Sequence, residues 1–495
     1  MNLADLVEPA RRGVPERIAL LLPERSVRYA ELGAAVDAAA AALAARGVGR
    51  GDRVALLDDT SLLHIASVLA AARIGAAAVP MHVQLSEREL RELVASCGCA
   101  EVGIAGAAHA ARLAQALGRD ALGARELVEA PAPQVLPETV DEPELPCVVL
   151  LTSGTTGLPK PVPISHATLV PRMRGFSTPL DPGRPATRGI MSVPNVHIGG
   201  LGGLLSALLS GGTTVVLPRF DAGSWLRAVA AHQVQMAFLV PTMIRRILDH
   251  PDFDATDLSS LRMLSYGAAT AAPSLIEEMI RRFPVSVKLS NVYGQTETTG
   301  AISGFGPDDH VLDERGRLVR AGSVGRPLPG VELRFTHPET GDEVAPGEVG
   351  ELQVRSAFNA ERGWRRTGDL VRQDPDGHLY PVGRLSDTIN RGGEKFGPAE
   401  VEAVLRAHPA VADVAVAGIP DPELGERVGA AIVRRAPLDA EAVRAHCRAQ
   451  LARFKTPERI AFVDEIPHTA LYKISRKQIA ELIQRALAQG SGGGG

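Results

Sequence analysis

The spacing of apolar and polar positions changes period repeatedly along the chain, and each change marks an element. The stretch VRYAELGAAVDAAAAALAARGVGRGDRVALL reads as a strand end, an alanine-rich helix from about Tyr29 to Arg46, a glycine stop and a strand from Val54 to Leu57. Beyond it, SLLHIASVLAAARIGAAAVPM gives a helix and then a strand, and SERELRELVASCG gives a helix capped by Ser86 with Glu89 at the capping-box position. VVLLT is a wholly apolar strand of the kind buried on both faces. This alternation predicts an α/β fold with stacked, mostly parallel sheets. From about Gly330 the texture shifts to short alternating strands broken by turn clusters such as Glu339 to Asp342, which predicts an antiparallel β subdomain.

A second shift falls near Leu385. There Pro398 opens a helix that buries Val401, Val404 and Leu405, and VADVAVAGI follows as a strand. The expected organisation is a large N-terminal core over residues 1–384, a small mobile α+β domain over 385–489, and a flexible linker-like tail over 490–495. The uncharged run from Ile198 to Pro218 approaches the length of a membrane span. Its glycines and its β-branched TTVVL segment predict instead a short buried helix, a turn and a buried strand.

Composition narrows the function classes. A chain of 495 residues, 45% hydrophobic, exceeds what one core holds and predicts at least two domains. The net charge of -4, with basic and acidic residues interspersed, argues against nucleic acid or anionic lipid as the main partner. Arg172 and Arg174 read as part of a solvated face. Cys97, Cys99, Cys147 and Cys447 lack the paired spacing of a zinc site and read as reduced thiols. The first residues show no basic start followed by an apolar segment, so the expected setting is the cytoplasm.

The chemistry concentrates in a few short stretches. LLTSGTTGLPKPVPISH follows an apolar strand, and it is not a Walker loop, because Pro159 precedes Lys160 and Pro161 follows it. Clustered hydroxyls at Thr152, Ser153, Thr155 and Thr156, with Gly154 and Gly157, nevertheless have the makings of a phosphate cradle. SYGAATAAP is a small-residue turn after a strand, and NVYGQTETTG brings Tyr293, Gly294, Gln295, Thr296 and Glu297 together. WRRTGDL places Asp369 in a tight turn, and LYKISRKQI places Lys473 in a short polar loop.

Taken in order, these motifs and GRLSDTINRGGEKFGPAEVE make the sequence similar, over nearly its whole length, to the adenylate-forming superfamily of acyl-CoA synthetases, peptide-synthetase adenylation domains and luciferases. The resemblance implies two steps: a carboxylate attacks the α-phosphate of ATP and releases pyrophosphate, and a thiol, commonly that of coenzyme A, then displaces AMP. It implies that Thr152, Ser153, Thr155, Thr156 and Lys160 hold the β and γ phosphates, with Gly154 and Gly157 giving main-chain access. Thr296 would touch the α-phosphate and Glu297 would bind magnesium, a hard ion suited to a carboxylate. Gly267, Ala268 and Ala269 would lie along the adenine with Tyr293 stacked on it, and Asp369, assisted by Arg384, would hold the ribose hydroxyls. Lys473 matches the family's catalytic lysine.

For the second step the family rotates its small domain, withdrawing the lysine; Gly393 would then line the pantetheine tunnel, while Lys395 would face phosphate in the first state. The sequence departs from pattern at the hinge, where Ser386 stands at the position usually held by Asp or Lys, with Asp387 next, and at Tyr472, where a glycine is common. His197 matches a histidine near the carboxylate, and Val240, Pro241, Met243, Ala301 and Ile302 would line the acyl pocket, whereas His166 reads as structural. The partners implied are a small carboxylic acid, ATP and CoA, or a separate carrier protein or an amine as acceptor. Monomer and homodimer stay open.

Overall fold

A computed structural model describes residues 1–99, 102–130, 133, 135–152, 159–467 and 475–490, with side chains to 488. The chain divides into two compact units. The first comprises Met1–Ala321, Leu328–Val331 and Arg355–Gly363; the second comprises Gly322–Pro327, Glu332–Val354 and Trp364–Gly495.

In the first unit one sheet runs in the order Gly300–Phe305, Lys288–Gln295, Met263–Gly267, Met236–Leu239, Arg188–Met191, Thr213–Val216, Ile18–Leu21 and Ser26–Arg28. Its central pairs are parallel, and its first and last pairs in this order are antiparallel. A second, five-stranded sheet runs Gly103–Ala105, Arg53–Leu57, Ala77–Pro80, Pro146–Thr152 and Lys160–Ser165, parallel except for the last pair. Lys160–Ser165 is an edge strand, which is why it tolerates Pro161 and Pro163.

The alanine-rich helix covers Tyr29–Ala44 and stops just short of the expected Arg46, because Gly47 takes a left-handed conformation (φ 80°) and Val48 turns its N–H back to the Leu43 carbonyl. Its small side chains let it lie against the helix Leu62–Arg73. Asp37 is buried between Arg73 and Arg11 (2.6 Å to Arg11), so one carboxylate joins three helices. The Ser86 capping box forms as expected, Glu89 accepting the Ser86 N–H at 2.8 Å. The uncharged run becomes the helix Ile198–Leu209 and the strand Thr213–Val216. Among the described residues no helix is long and apolar enough to cross a membrane.

The second unit holds an antiparallel four-stranded sheet of Glu332–Thr336, Gly350–Arg355, Arg365–Gln373 and Leu379–Arg384. It also holds a five-stranded sheet built on the long hairpin Val411–Asp421 and Gly425–Arg434. That hairpin is covered on both faces. Val414 and Val416 pack with Val401, Leu405 and Val443, while the alternate residues Ala415 and Ala417 pack with Ile479 and Ile483. The helix expected at Pro398 runs Pro398–Arg406, with Pro398 at its first position.

Candidate active site

In the first unit the motifs stand at the carboxyl ends of neighbouring strands. Met263–Gly267 lies parallel to Lys288–Gln295 with Gly267 opposite Val292. A Cβ added at Gly267 would sit 2.2 Å from the Val292 carbonyl oxygen, so the two main chains approach as they do only because residue 267 has no side chain. The next residue, Ala268, is held at φ 65°, a strained setting for a residue with a Cβ, and turns the chain sharply before Ala269. Gly294 is equally confined, an added Cβ lying 2.0 Å from the Gly300 carbonyl oxygen.

After Gln295 the chain makes one 3-10 turn, Thr296–Thr298, and returns as Gly300–Phe305. Thr298 is buried, and its hydroxyl pins this turn: it accepts the Gln295 N–H at 3.1 Å and reaches the carbonyls of Gln295 and Gly300 at 2.9 and 2.8 Å. The Glu297 carbonyl accepts the Ala360 N–H at 2.8 Å. Tyr293, Thr296 and Glu297 are thereby presented half-buried on a braced main chain. Reading the sequence missed Thr298; the doubled threonines of TETT were the available signal.

Thr152 ends its strand directly opposite Lys160, with its hydroxyl 3.5 Å from the Lys160 carbonyl. Ser153, Gly154, Thr155, Thr156 and Gly157 lie outside the described residues, as do Tyr472 and Lys473. His197 occupies the cap position of the helix Ile198–Leu209, donates its N–H to the Pro194 carbonyl at 3.2 Å and carries its ring at 25° to that of His82, centroids 6.2 Å apart. That helix presses on the loop before it, since a Cβ at Gly200 would lie 2.3 Å from the Val193 carbonyl oxygen. Val240, Pro241, Met243 and Ile302 are buried and Ala301 is half-buried.

His166 is structural as expected, buried with Nδ1 accepting the Leu3 N–H at 2.9 Å. Arg172 corrects the solvated-face reading: it is 4% exposed, its guanidinium lying 4.7 Å from the ring centres of both Phe176 and Phe358. The helix His166–Phe176 turns this residue inward and Arg174 outward, a difference that charge spacing does not reveal.

In the second unit Asp369 and Arg384 face each other across adjacent antiparallel strands. Arg384 Nε donates to Asp369 Oδ1 at 2.6 Å. The Asp369 side chain is 6% exposed, and its N–H donates to the Thr367 hydroxyl, which in turn donates to the Leu352 carbonyl at 2.8 Å. Gly368 (φ 72°) makes the left-handed step between them. Gly392 and Gly393 (φ 61° and 93°) form the two-residue turn joining Ile389–Arg391 to Glu394–Phe396, a geometry that requires positive φ at both positions. Lys395, on that hairpin, pairs with Glu339 at 2.5 Å. Ser386 donates to Asp387 at 3.0 Å, and Asp387 lies 3.5 Å from Arg476, so of the two hinge candidates Asp387 carries the ionic contact.

A family model described as AMP-binding enzyme matches residues 7–363, and one for the AMP-binding enzyme C-terminal domain matches residues 400–473. The chain belongs to the AMP-binding enzymes. It is 34% identical to an indoleacetate–CoA ligase of Aromatoleum aromaticum, over 98% of this chain and 99% of that one. Among solved structures it is similar to the o-succinylbenzoate CoA synthetase (MenE) of Bacillus subtilis in complex with the acyl-adenylate OSB-AMP, with a TM-score of 0.83, 29% identity, and 96% and 97% of the two chains covered. The same Bacillus enzyme is known in complex with ATP and magnesium ion. An amide bond synthetase, McbA of Marinactinospora thermotolerans, is similar with a TM-score of 0.84, 30% identity, and 97% and 99% coverage. This AMP-binding enzyme is thus a member of the adenylate-forming superfamily, with the mixed α/β fold expected of it.

Proposed function

We infer that this AMP-binding enzyme is an ATP-dependent acid:CoA ligase. In its first reaction a carboxylate oxygen of the acid attacks the α-phosphorus of ATP, the bond to the bridging oxygen breaks, and pyrophosphate leaves from an acyl-adenylate. In its second the CoA sulfur attacks the acyl carbon, AMP leaves as the carbon–oxygen bond breaks, and the thiol proton passes to solvent. The observation that carries this reading is the braced turn that presents Thr296 and Glu297 half-buried after the Gly294 strand end, in a chain 34% identical to an indoleacetate–CoA ligase.

On this reading Gly267, Ala268 and Ala269 flank the adenine with Tyr293 against its face, while Gly294 and Gln295 lead into Thr296 at the α-phosphate. Asp369 takes the ribose hydroxyls, its orientation held by Arg384 and Thr367. Thr152 and Lys160, at facing strand ends, flank the loop Ser153–Gly157 assigned to the β and γ phosphates. Glu297 fits magnesium, being a hard carboxylate on a turn fixed by Thr298 and Ala360. When bound, the ion neutralises phosphate charge. Lys473 serves the adenylating state, and Gly393 and Lys395 act as the small domain, residues 385–489, changes position over the core.

The acid is proposed to be aromatic. Support comes from the acids named for the similar enzymes, indoleacetate and o-succinylbenzoate, and from the apolar Val240 and Ile302. A second reading, an amine acceptor instead of CoA, draws on the likeness to the amide bond synthetase. Pyrophosphate release over a panel of aromatic and aliphatic acids, repeated with CoA and with mass detection, tests both. ATP-dependent release with an acyl-CoA product is expected. No release with any acid would sink the ligase reading, and adenylate without thioester would favour the amine or a carrier protein.

A further inference from the structure

The strand ends of the two sheets in the first unit carry a group of ionisable side chains that the chemistry above does not use. Strand Arg53–Leu57 is followed by Asp58 and Asp59, its neighbour Ala77–Pro80 by His82, and Gly103–Ala105, on its other side, by Gly106 and His109. From the other sheet, His197 follows Arg188–Met191 and Arg219 follows Thr213–Val216. The sheet that holds Arg188–Met191 reverses its strand order between that strand and Met236–Leu239. Open α/β sheets take their ligands beside such reversals.

Asp59 links the two edges. Arg219 Nε and Nη2 donate to its two oxygens at 3.0 and 3.2 Å, and His109 Nε2 lies 3.3 Å away. Asp58 accepts from Ser61 at 2.5 Å and fills the space that a Cβ on Gly106 would need. The ring of His82 is inclined 25° to that of His197, with centroids 6.2 Å apart. Its Nδ1 accepts the Gln84 N–H at 3.2 Å, which assigns the proton of the neutral ring to Nε2. Burial lowers its pKa, Asp59 opposes that shift and Arg219 adds to it, so the ring is neutral near pH 7.

We propose that His82 is a positioning residue for His197: its flat ring, oriented by the Gln84 N–H at Nδ1, holds the His197 imidazole at the start of helix Ile198–Leu209 and thereby sets the affinity for the acid. The proposal rests on the reading that His197 lies beside the acid's carboxylate. It names a residue that acts through stacking, distinct from any group touching substrate.

Three substitutions test it, with whichever of indoleacetate and o-succinylbenzoate gives the faster pyrophosphate release as the probe acid. His82→Ala is expected to raise the KM for the acid about tenfold, the scale of a lost ring stack, with the KM values for ATP and CoA and the Tm unchanged. His82→Phe, which keeps a flat ring, should return the acid KM to within about twofold of the parent. His82→Asn, which keeps a polar side chain but no ring, should behave as His82→Ala does. An unchanged acid KM in His82→Ala, or His82→Asn matching His82→Phe, overturns the proposal; if His82→Ala does not fold, the Phe and Asn variants carry the test. His197→Ala separates the two failures. An unchanged acid KM there overturns the placement of His197 itself, whereas a raised one beside an unaffected His82→Ala overturns only the positioning role.

Discussion

The two units hold their motifs by opposite means. In the first, missing side chains let main chains approach closely, as at Gly267 and Gly294, where an added Cβ would meet a carbonyl oxygen at 2.2 and 2.0 Å. In the second, charged side chains are held by partners of opposite sign, Asp369 by Arg384 and Lys395 by Glu339. The first design fails by collision, because a packed interior yields little to an added atom. The second fails by loss of charge and leaves the fold in place.

The contrast is sharpest at Lys473. Lys473→Ala is expected to slow adenylation by about 100-fold or more, the scale of one lost electrostatic group, while thioester formation from supplied acyl-adenylate falls far less. Equal losses in both half-reactions would contradict the division of labour between two domain positions. Gly267→Val is expected to destabilise the first unit by about 3 kcal/mol, the upper range for overpacking, and to abolish nucleotide binding; a folded variant with normal ATP affinity would show that the close approach at Val292 does not shape the site.

Acid provides a smaller test. His64 and His166 are buried and their pKa values are pushed down to about 4, in both cases chiefly by burial. The unfolded chain binds protons at these rings from about pH 6.5 downward, the folded chain only near pH 4, so stability falls as the pH falls through that window. Asp58, pushed up to about 6 by burial, opposes this, because its folded form gains its proton first. The net expectation is a urea midpoint that drops from pH 7 to pH 4.5 by the equivalent of about 3 kcal/mol. It should be read from Trp225 fluorescence in a Trp364→Phe background, with His64→Leu flattening the slope. A midpoint that rises on acidification would overturn the assignment. The smallest effect belongs to the second unit: Glu339→Gln, which removes an exposed ion pair, should leave the urea midpoint unchanged within error, and a measurable shift would mean that the Lys395 pair is structural.

The fold was legible because its signals are local. Helix and strand periods, the Ser86 cap and Pro398 at a helix start are each contained within a few residues, and the structure reproduces them. The family was legible where a motif is contiguous, as around Thr296 and Glu297. Contacts were not legible where the partners are far apart in sequence. Asp59 and Arg219 meet across two sheets, and His82 meets His197 although 115 positions separate them in sequence. Nothing in either neighbourhood announces the other. Arg172 was misread for a related reason: burial of a cation between two rings depends on Phe358, which arrives from a distant segment.

The helix Ile198–Leu209 contains glycines of different kinds. At Gly200 an added Cβ strikes main chain that cannot yield, at Gly199 it meets the edge of the Phe238 ring at 2.9 Å, and at Gly203 it meets nothing within 4 Å. Substitution is therefore a graded problem along one helix. Position 200 is closed, position 203 tolerates change without consequence for its neighbours, and position 199 is the adjustable one, where each added carbon displaces the Phe238 ring.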